Sequence, residues 1–133
     1  MTVAAAAPPP RSERRTDPAA KVACQAGPRR LCLGGGRFAV DVAWKDFSGH
    51  TGFGTAVPLT ADTGTFWFFD PGNVELVLKV LDGTALNGRY WVFYGALSSV
   101  EYTITVTDTA SGTIKTYRNP SGQLASVGDT VAF

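Results

Sequence analysis

The sequence has few of the residues from which catalytic sites are usually built. Its 133 residues include one histidine, His50, two cysteines and one methionine. A Ser-His-Asp or Cys-His mechanism would have to use His50. This residue lies in the glycine-rich segment SGHTG, and the chain has no Gly-x-Ser-x-Gly motif. A solvent-exposed loop histidine is the simpler interpretation, so we expect no catalytic residues and no enzymatic activity.

The carboxylates show no clear catalytic pair or metal site. Asp62, Asp70, Asp82 and Asp108 each border a turn, where aspartate is favoured because its side chain accepts hydrogen bonds from nearby backbone. Calcium bound by these loop aspartates is the alternative, but no EF-hand or repeat-type calcium sequence is present. We therefore expect no metal and no cofactor.

The chain also lacks a long hydrophobic run. No apolar segment approaches the roughly 18 to 20 residues that a membrane-spanning helix requires. The start, MTVAAAAPPP, has no basic residue before its apolar patch and runs directly into three prolines, which is not typical of a secretion signal. We predict no membrane span, and for an exported protein we expect the signal to lie outside this sequence.

Basic residues are concentrated near the start of the chain. Residues 1–36 contain six arginines and lysines and two acidic residues, whereas residues 37–133 contain six basic and nine acidic residues. The second part is therefore mildly acidic and offers no electrostatic footprint for a phosphate backbone. We expect no nucleic-acid partner, and we interpret the N-terminal arginines as part of a solvated tail.

Cys24 and Cys32 are too few to complete a four-ligand zinc site, unless His50 and a carboxylate join them. A disulfide between them is the simpler interpretation, and it would close the loop QAGPRRL across a Gly-Pro turn. Such a bond indicates an oxidising compartment, and hence an extracellular or cell-surface location. Spacing does not prove pairing, so two reduced cysteines are the alternative.

Residues 1–30 are rich in Ala, Pro and Arg and show no periodic apolar pattern. Such a segment cannot bury enough apolar surface to offset the entropy lost on ordering. We therefore predict a flexible, disordered leader over residues 1–30 and one folded domain over residues 31–133.

From RFAVDVAW onward, short runs rich in Val, Thr, Tyr, Phe and Trp alternate with turn residues. The alternation is clearest in VEYTITVTD, where Val100, Tyr102, Ile104 and Val106 form one face. In DGTALNG the Asn-Gly pair predicts a hairpin turn. We predict eight strands, at residues 37–45, 55–60, 65–69, 73–81, 89–94, 100–108, 113–118 and 129–133.

These short strands and the turns between them, such as DPGN and NPSG, predict an all-β fold. The preferred architecture is a two-sheet antiparallel sandwich, immunoglobulin-like or fibronectin-like in general form. A closed barrel is the alternative.

Three long segments carry a resemblance to a known kind of module: LCLGGGRFAVDVAW, TGTFWFFDPGNVELVLKVLDG and NGRYWVFYGALSSVEYTITVTDTASGTIKTYRNPSG, followed by the final GDTVAF. Together they cover nearly all of residues 31–133. The chain resembles an uncharacterised module that recurs at the C-terminal ends of secreted and cell-surface bacterial proteins. The resemblance implies an extracellular accessory domain and supplies no catalytic residues.

Aromatic residues are the most conspicuous candidates for a binding site. In FWFF the side chains of Phe66 and Phe68 point to one face of a strand and those of Trp67 and Phe69 to the other. RYWVFYG has the same property, so some of the aromatic rings are expected near the surface. Four aromatic residues are the candidate platform for sugar rings or an extended peptide: Trp44, Trp67, Tyr90 and Tyr94. The alternative is that these rings fill a second cluster beneath loops, or a seam against a neighbouring domain or subunit.

We therefore expect a non-catalytic extracellular accessory or structural module, which supports the attachment, assembly or stability of a larger secreted protein. Its expected partner is another protein or a neighbouring domain. A carbohydrate-binding or peptide-binding module that uses the aromatic platform is the first alternative. A subunit that self-assembles by β-strand addition is the second, although the prolines of the leader argue against it.

Overall fold

The computed structural model of the protein describes residues 10–133. Eleven strands in this range form two antiparallel sheets. The first sheet contains β1 (Arg11–Thr16), β2 (Arg30–Leu33), β3 (Phe38–Lys45), β4 (Thr51–Phe53), β9 (Glu101–Asp108) and β10 (Thr113–Asn119). The second contains β5 (Thr55–Pro58), β6 (Thr63–Trp67), β7 (Val74–Gly83), β8 (Arg89–Ala96) and β11 (Ser126–Asp129). The predicted two-sheet sandwich is confirmed, and the sheets do not close into a barrel.

The order of strands follows from the pairing of neighbours. The first sheet runs β1-β10-β9-β3, and the far edge of β3 is shared between β2 and β4. Residues 38–41 of β3 pair with β2, whereas residues 43–45 pair with β4. The second sheet runs β11-β8-β7-β6-β5. As a result β1 and β2 lie at opposite edges of the first sheet.

The hydrophobic core lies between the sheets and is built from alternate residues of each strand. In β9 the side chains of Tyr102, Ile104 and Val106 are buried, as their alternation predicts. In β7 the same holds for Leu76, Leu78 and Val80. The inward residues of the other strands complete the core, and they include Leu31, Leu33, Phe38, Val40, Val42, Phe66, Val92, Tyr94 and Tyr117.

Within residues 10–30 the structure differs from the predicted disordered leader. Residues 11–16 form β1, which pairs with β10 along its full length, and a single 3₁₀ turn follows at Pro18–Ala20. The prediction missed β1 because all six of its side chains are exposed. Its strand conformation depends on main-chain hydrogen bonds, which leave no apolar alternation in the sequence. The part of the leader prediction that covers residues 1–9 lies outside the described residues.

Seven of the predicted strands correspond to β3 and to β5 through β10, and two local predictions need correction. The strands β2 and β4 were not predicted, since both are short. The segment DGTALNG does connect the antiparallel strands β7 and β8 as a hairpin. The connection is one helical turn, α1 (Thr84–Asn87), which Gly88 ends with a φ of 73°. The last strand begins at Ser126 and ends at Asp129, whereas Phe133 exchanges two backbone hydrogen bonds with Tyr90, at 3.0 and 3.3 Å.

The Cys24–Cys32 disulfide is present and joins the loop before β2 to β2 itself. It closes a loop over residues 25–31, in which the carbonyl of Pro28 accepts a hydrogen bond from the amide of Ala56 in β5 at 2.8 Å. Among residues 10–133, no helix has the length and apolar character needed to cross a membrane.

Candidate functional site

The four aromatic residues proposed as a platform do not share one exposed surface. Tyr94 is only 3% exposed, and its ring packs against the rings of Tyr102 and Tyr117, with centroids 6.4 and 5.5 Å away. Tyr90 lies at another part of the core, 5.1 Å from the ring of Phe38.

Trp44 is half-buried and packs against the rings of Phe68 and Phe69, at 6.5 and 4.8 Å. Trp67 follows the buried Phe66 and pairs in regular register with Thr55 of β5, so it lies on the outer face of the second sheet. The register against β7 shifts at this point. Of the four residues, therefore, only Trp67 belongs to an outer sheet face.

Tyr90 and Tyr94 do not join an exposed platform because of the direction of β8, in which alternate side chains face opposite sides of the sheet. Tyr90, Val92 and Tyr94 face the core, so Trp91 and Phe93 lie on the outer face of the sheet. Both outward residues are half-buried. The alternation in RYWVFYG identified the two sets, but it contains no signal for which set faces inward.

We define the outer aromatic face as the solvent-facing side of the second sheet. Register places Val77 of β7 opposite Gly95, Lys79 opposite Phe93, and Leu81 opposite Trp91. On the other side of β7, Val77 pairs with Thr65, which in turn pairs with Val57 of β5. The face contains the following large side chains: Val57, Trp67, Val77, Lys79, Leu81, Trp91 and Phe93.

Small residues make a groove along one side of this face. Gly95 of β8 pairs with Ser126 of β11, and Gly128 pairs with Phe93. A Cβ atom at Gly128 would lie 2.9 Å from the ring of Phe93, so the ring covers this glycine. Two adjoining depressions of about 660 and 670 Å³ share Val77, Gly95 and Ser126 in their walls. Leu97 and Leu124 line one end of the groove and are 76% and 63% exposed.

The outer side of the first sheet has a different chemistry. Register aligns Thr103, Thr105 and Thr107 of β9 along it, since these residues alternate with the buried Tyr102, Ile104 and Val106. Two ion pairs lie on the same side, Arg30 with Asp41 at 2.7 Å and Arg118 with Glu101 at 3.2 Å. This side is typical of a solvated sheet surface.

A polar cluster at one end of the sandwich ties the two sheets together. Arg37 donates two hydrogen bonds to Asp108, at 2.9 and 3.0 Å, and a third to the hydroxyl of Tyr90 at 2.9 Å. Asp108 is 2% exposed, and it also accepts hydrogen bonds from Ser111 and from the amide of Ala110. Burial would raise the pKa of Asp108, but these donors outweigh burial, so its pKa lies below the ordinary value. The acid is held ionised as a structural group.

A second polar cluster lies where β10 and β11 face each other across the sandwich. Asp129 accepts a hydrogen bond from the hydroxyl of Tyr117 at 2.7 Å and lies 3.4 Å from the amine of Lys115. Burial and the Asp129 carboxylate raise the pKa of Tyr117 above its ordinary value. Burial alone raises the pKa of Tyr94 to about 12. These hydroxyls therefore stay protonated at neutral pH.

A smaller pocket lies beside Trp44, between β3, β4 and β9. Its volume is about 440 Å³, and Arg29, Lys45 and Phe53 contribute to its walls. The guanidinium of Arg29 lies 4.3 Å from the centre of the Phe53 ring. The indole nitrogen of Trp44 is buried without a hydrogen-bond partner in the described chain. The pocket combines two cations and the carboxylate of Glu101 with aromatic surface.

Two of the loop aspartates accept hydrogen bonds from backbone amides within their own turns. Asp70 accepts a hydrogen bond from the amide of Gly72 at 2.7 Å, and Asp82 accepts one from the amide of Thr84 at 2.9 Å. Asp62 instead donates its amide to the hydroxyl of Thr60. Within residues 10–133, no three His, Cys, Asp or Glu side chains are grouped so that they could hold a metal ion. His50 has an exposed side chain whose Nδ1 atom lies 3.1 Å from Asp46.

Comparisons of the chain with protein-family models, with curated proteins and with solved structures found no match. The resemblance to a module of secreted bacterial proteins therefore stays a prediction. The functional interpretation depends on the geometry of the outer aromatic face and on its contrast with the first sheet.

Proposed function

We propose that the protein is a non-catalytic extracellular accessory module, which attaches to a neighbouring domain or partner protein through the outer aromatic face. The observation that carries the proposal is the contrast between the two outer sheet faces. One presents threonines and ion pairs, whereas the other presents valine, leucine and aromatic side chains around a groove. Apolar surface grouped on one side of a domain is typical of protein interfaces.

The charge on this face indicates the kind of surface that fits it. Lys79 lies among the apolar residues with its amine 5.4 Å from the Phe93 ring centre, and it forms no ion pair within residues 10–133. A second copy of the chain packed face to face would bring two copies of Lys79 together, which is unfavourable. A partner with an apolar surface and a carboxylate opposite Lys79 fits better.

A pair of matched variants tests the proposal. Val77→Asp places a charge at the centre of the outer aromatic face, and Thr105→Asp places the same charge on the outer side of the first sheet. Proteins retained by the wild-type module from the extracellular fraction of the producing organism would be purified and titrated against each variant. We expect Val77→Asp to weaken binding at least tenfold and Thr105→Asp to change it less than twofold. Equal binding by both variants would exclude this face as the interface.

Carbohydrate binding is a second candidate, because Trp67, Trp91 and Phe93 all lie on the outer face. Aromatic rings offer flat apolar area to sugar rings, and the indole N–H of Trp91 is held by Asn87 at 2.8 Å. A glycan array with the wild-type protein and Phe93→Ala separates the candidates. Glycan binding that is lost in Phe93→Ala would favour this alternative, and an array without signal would leave the protein partner as the function.

A further inference from the structure

The strand β1, like the shorter β4, places no side chain in the core of the sandwich. Among the strands of residues 10–133, it lies at the edge of the first sheet and pairs with β10 alone. All six of its side chains are exposed, whereas β2, β3, β9 and β10 each place side chains in the core. Main-chain hydrogen bonds to β10, with one from the amide of Asp17 to Gly112 at 2.9 Å, therefore hold it in place.

The charges of the two strands oppose this pairing. Register puts Arg11 directly opposite Arg118, and Arg14 directly opposite Lys115. Like charges in directly opposite positions destabilise a strand pair. Arg118 and Lys115 have acidic partners elsewhere, Glu101 and Asp129.

The arginines of β1 form no ion pair in the part of the chain that the structure describes. Two of the six register pairs between β1 and β10 therefore place positive charges opposite each other.

The strand beneath β1 is firmly anchored. β10 pairs with β9 along its whole length, and its Ile114, Tyr117 and Asn119 are buried. If β1 separates, β10 remains in the sheet and presents a row of unpaired backbone N–H and C=O groups, with Lys115 and Arg118 beside them. Such an edge accepts an extended strand.

We propose that β1 is a displaceable strand, and that the β10 edge accepts an extended acidic segment of a partner protein in its place. The segment would run antiparallel to β10, with carboxylates opposite Lys115 and Arg118. A second copy of β1 would bring the same arginines to the same positions and would gain nothing over the strand already present. This surface is separate from the outer aromatic face, so the proposal does not depend on the function proposed above.

A labelled peptide tests the proposal on the full chain. The probe is Glu-Thr-Thr-Glu-Val-Thr, which places glutamates opposite Arg118 and Lys115 in the register of β1, and binding is followed by fluorescence anisotropy. The control peptide has the same sequence with N-methyl groups on the amides that face β10. We expect the control to bind at least tenfold more weakly, because it keeps the charges but cannot form the strand ladder. Equal binding of the two peptides would overturn the proposal.

Two charge-reversal variants distinguish replacement of β1 by the peptide from electrostatic attraction between the acidic peptide and basic residues anywhere on the protein. Arg11→Glu with Arg14→Glu turns both mismatched pairs into opposite-charge pairs, so β1 should close the edge and weaken peptide binding at least tenfold. Lys79→Glu with Arg89→Glu makes the same change in net charge at exposed positions of the second sheet, away from β1 and β10, and it should bind within twofold of the wild type. Equal losses in both variants would show simple charge attraction and contradict the proposal.

Hydrogen exchange gives a readout without a peptide. In the wild type we expect the amides of β1 to exchange at least tenfold faster than the β9 amides, and the Arg11→Glu, Arg14→Glu variant to slow the β1 amides by at least threefold. Exchange in β1 that is as slow as in β9, or that does not respond to the variant, would show that β1 is not displaced.

Discussion

Three tyrosines meet in the core, and their hydroxyl groups differ in what they contact. The hydroxyl of Tyr117 donates to Asp129, whereas those of Tyr94 and Tyr102 are buried with no hydrogen-bond partner in residues 10–133. A buried polar group without a partner destabilises the folded state, and removing it costs no intramolecular hydrogen bond. The three residues are therefore expected to respond differently to the same substitution.

Replacing Tyr102 with Phe should raise the free energy of unfolding by about 1 kcal/mol, since it removes a buried hydroxyl that has no partner. Tyr117→Phe should lower it by about 2 kcal/mol, because it removes a hydrogen bond to a charged group. Urea denaturation followed by intrinsic fluorescence measures both. A loss of stability in Tyr102→Phe as large as in Tyr117→Phe would show that the hydroxyl of Tyr102 is satisfied.

The Arg37–Asp108 pair makes the stability of the protein depend on pH. Asp108 has a lowered pKa in the folded state, so its contribution is fully present above the pKa of an unfolded aspartate and is lost as pH falls towards the folded value. We expect Asp108→Asn to destabilise the protein by about 1 to 3 kcal/mol at pH 7, because Arg37 loses its carboxylate partner but, being 35% exposed, stays partly solvated.

The same variant should lose less stability than the wild type when pH is lowered from about 5 to about 2, the range in which aspartates titrate. Urea midpoints measured across this range provide the test. The two curves should converge at low pH. Parallel curves would mean that Asp108 does not contribute to acid unfolding.

The contact between β2 and β6 depends on a residue without a side chain. A Cβ atom at Gly64 would overlap a methyl group of Leu31, which is buried in the core. Gly64→Ala should therefore destabilise the protein by about 1 to 3 kcal/mol through overpacking. Gly95→Ala is the matched control, since its Cβ would meet Ser126 at an ordinary 3.7 Å. Thermal unfolding of both variants should show the loss only for Gly64→Ala.

The disulfide stabilises the segment that leads into β2. Closing a loop of this length contributes about 2.5 kcal/mol on the chain-entropy model, so Cys24→Ser with Cys32→Ser should lower the free energy of unfolding by that amount. Reduced wild-type protein should match the double variant. If oxidised and reduced wild type unfold at the same urea concentration, the bond does not stabilise the fold.

The outer side of the first sheet is polar and that of the second sheet is largely apolar, so the two sides should contribute differently to association between copies of the protein. Its formal net charge of +1 gives little electrostatic repulsion between copies. Exposed apolar surface promotes weak, non-specific association even where Lys79 disfavours a tight face-to-face dimer. Val77→Asp adds a charge to the outer aromatic face and should reduce this non-specific association near neutral pH, as measured by static light scattering. Thr105→Asp changes the net charge equally and should have a smaller effect. An equal response would show that net charge, and not the apolar face, controls association.

Most of the fold could be predicted from local patterns. The alternation in VEYTITVTD and NVELVLKVL defines the core faces of β9 and β7, and turn residues such as those of DPGN separate the strands. The candidate platform stays a prediction. Of its residues Trp67 lies on an outer face and Tyr94 is buried, and the alternation in β8 held no signal that Trp91 and Phe93 are its outward residues.

The amino-acid pattern sufficed for the all-β class and for most of the strands, because both depend on short-range spacing. Cys32 is the one other cysteine of the sequence, but that the two cysteines lie close enough to pair was decided by the tertiary structure. The identity of the outward face of β8 and the presence of β1 depended on contacts between distant segments. Alternation divides a strand into two sets of side chains, but the facing sheet selects which set is buried. Main-chain hydrogen bonds alone attach β1 to β10, and they require no particular side chains that a sequence pattern would reveal.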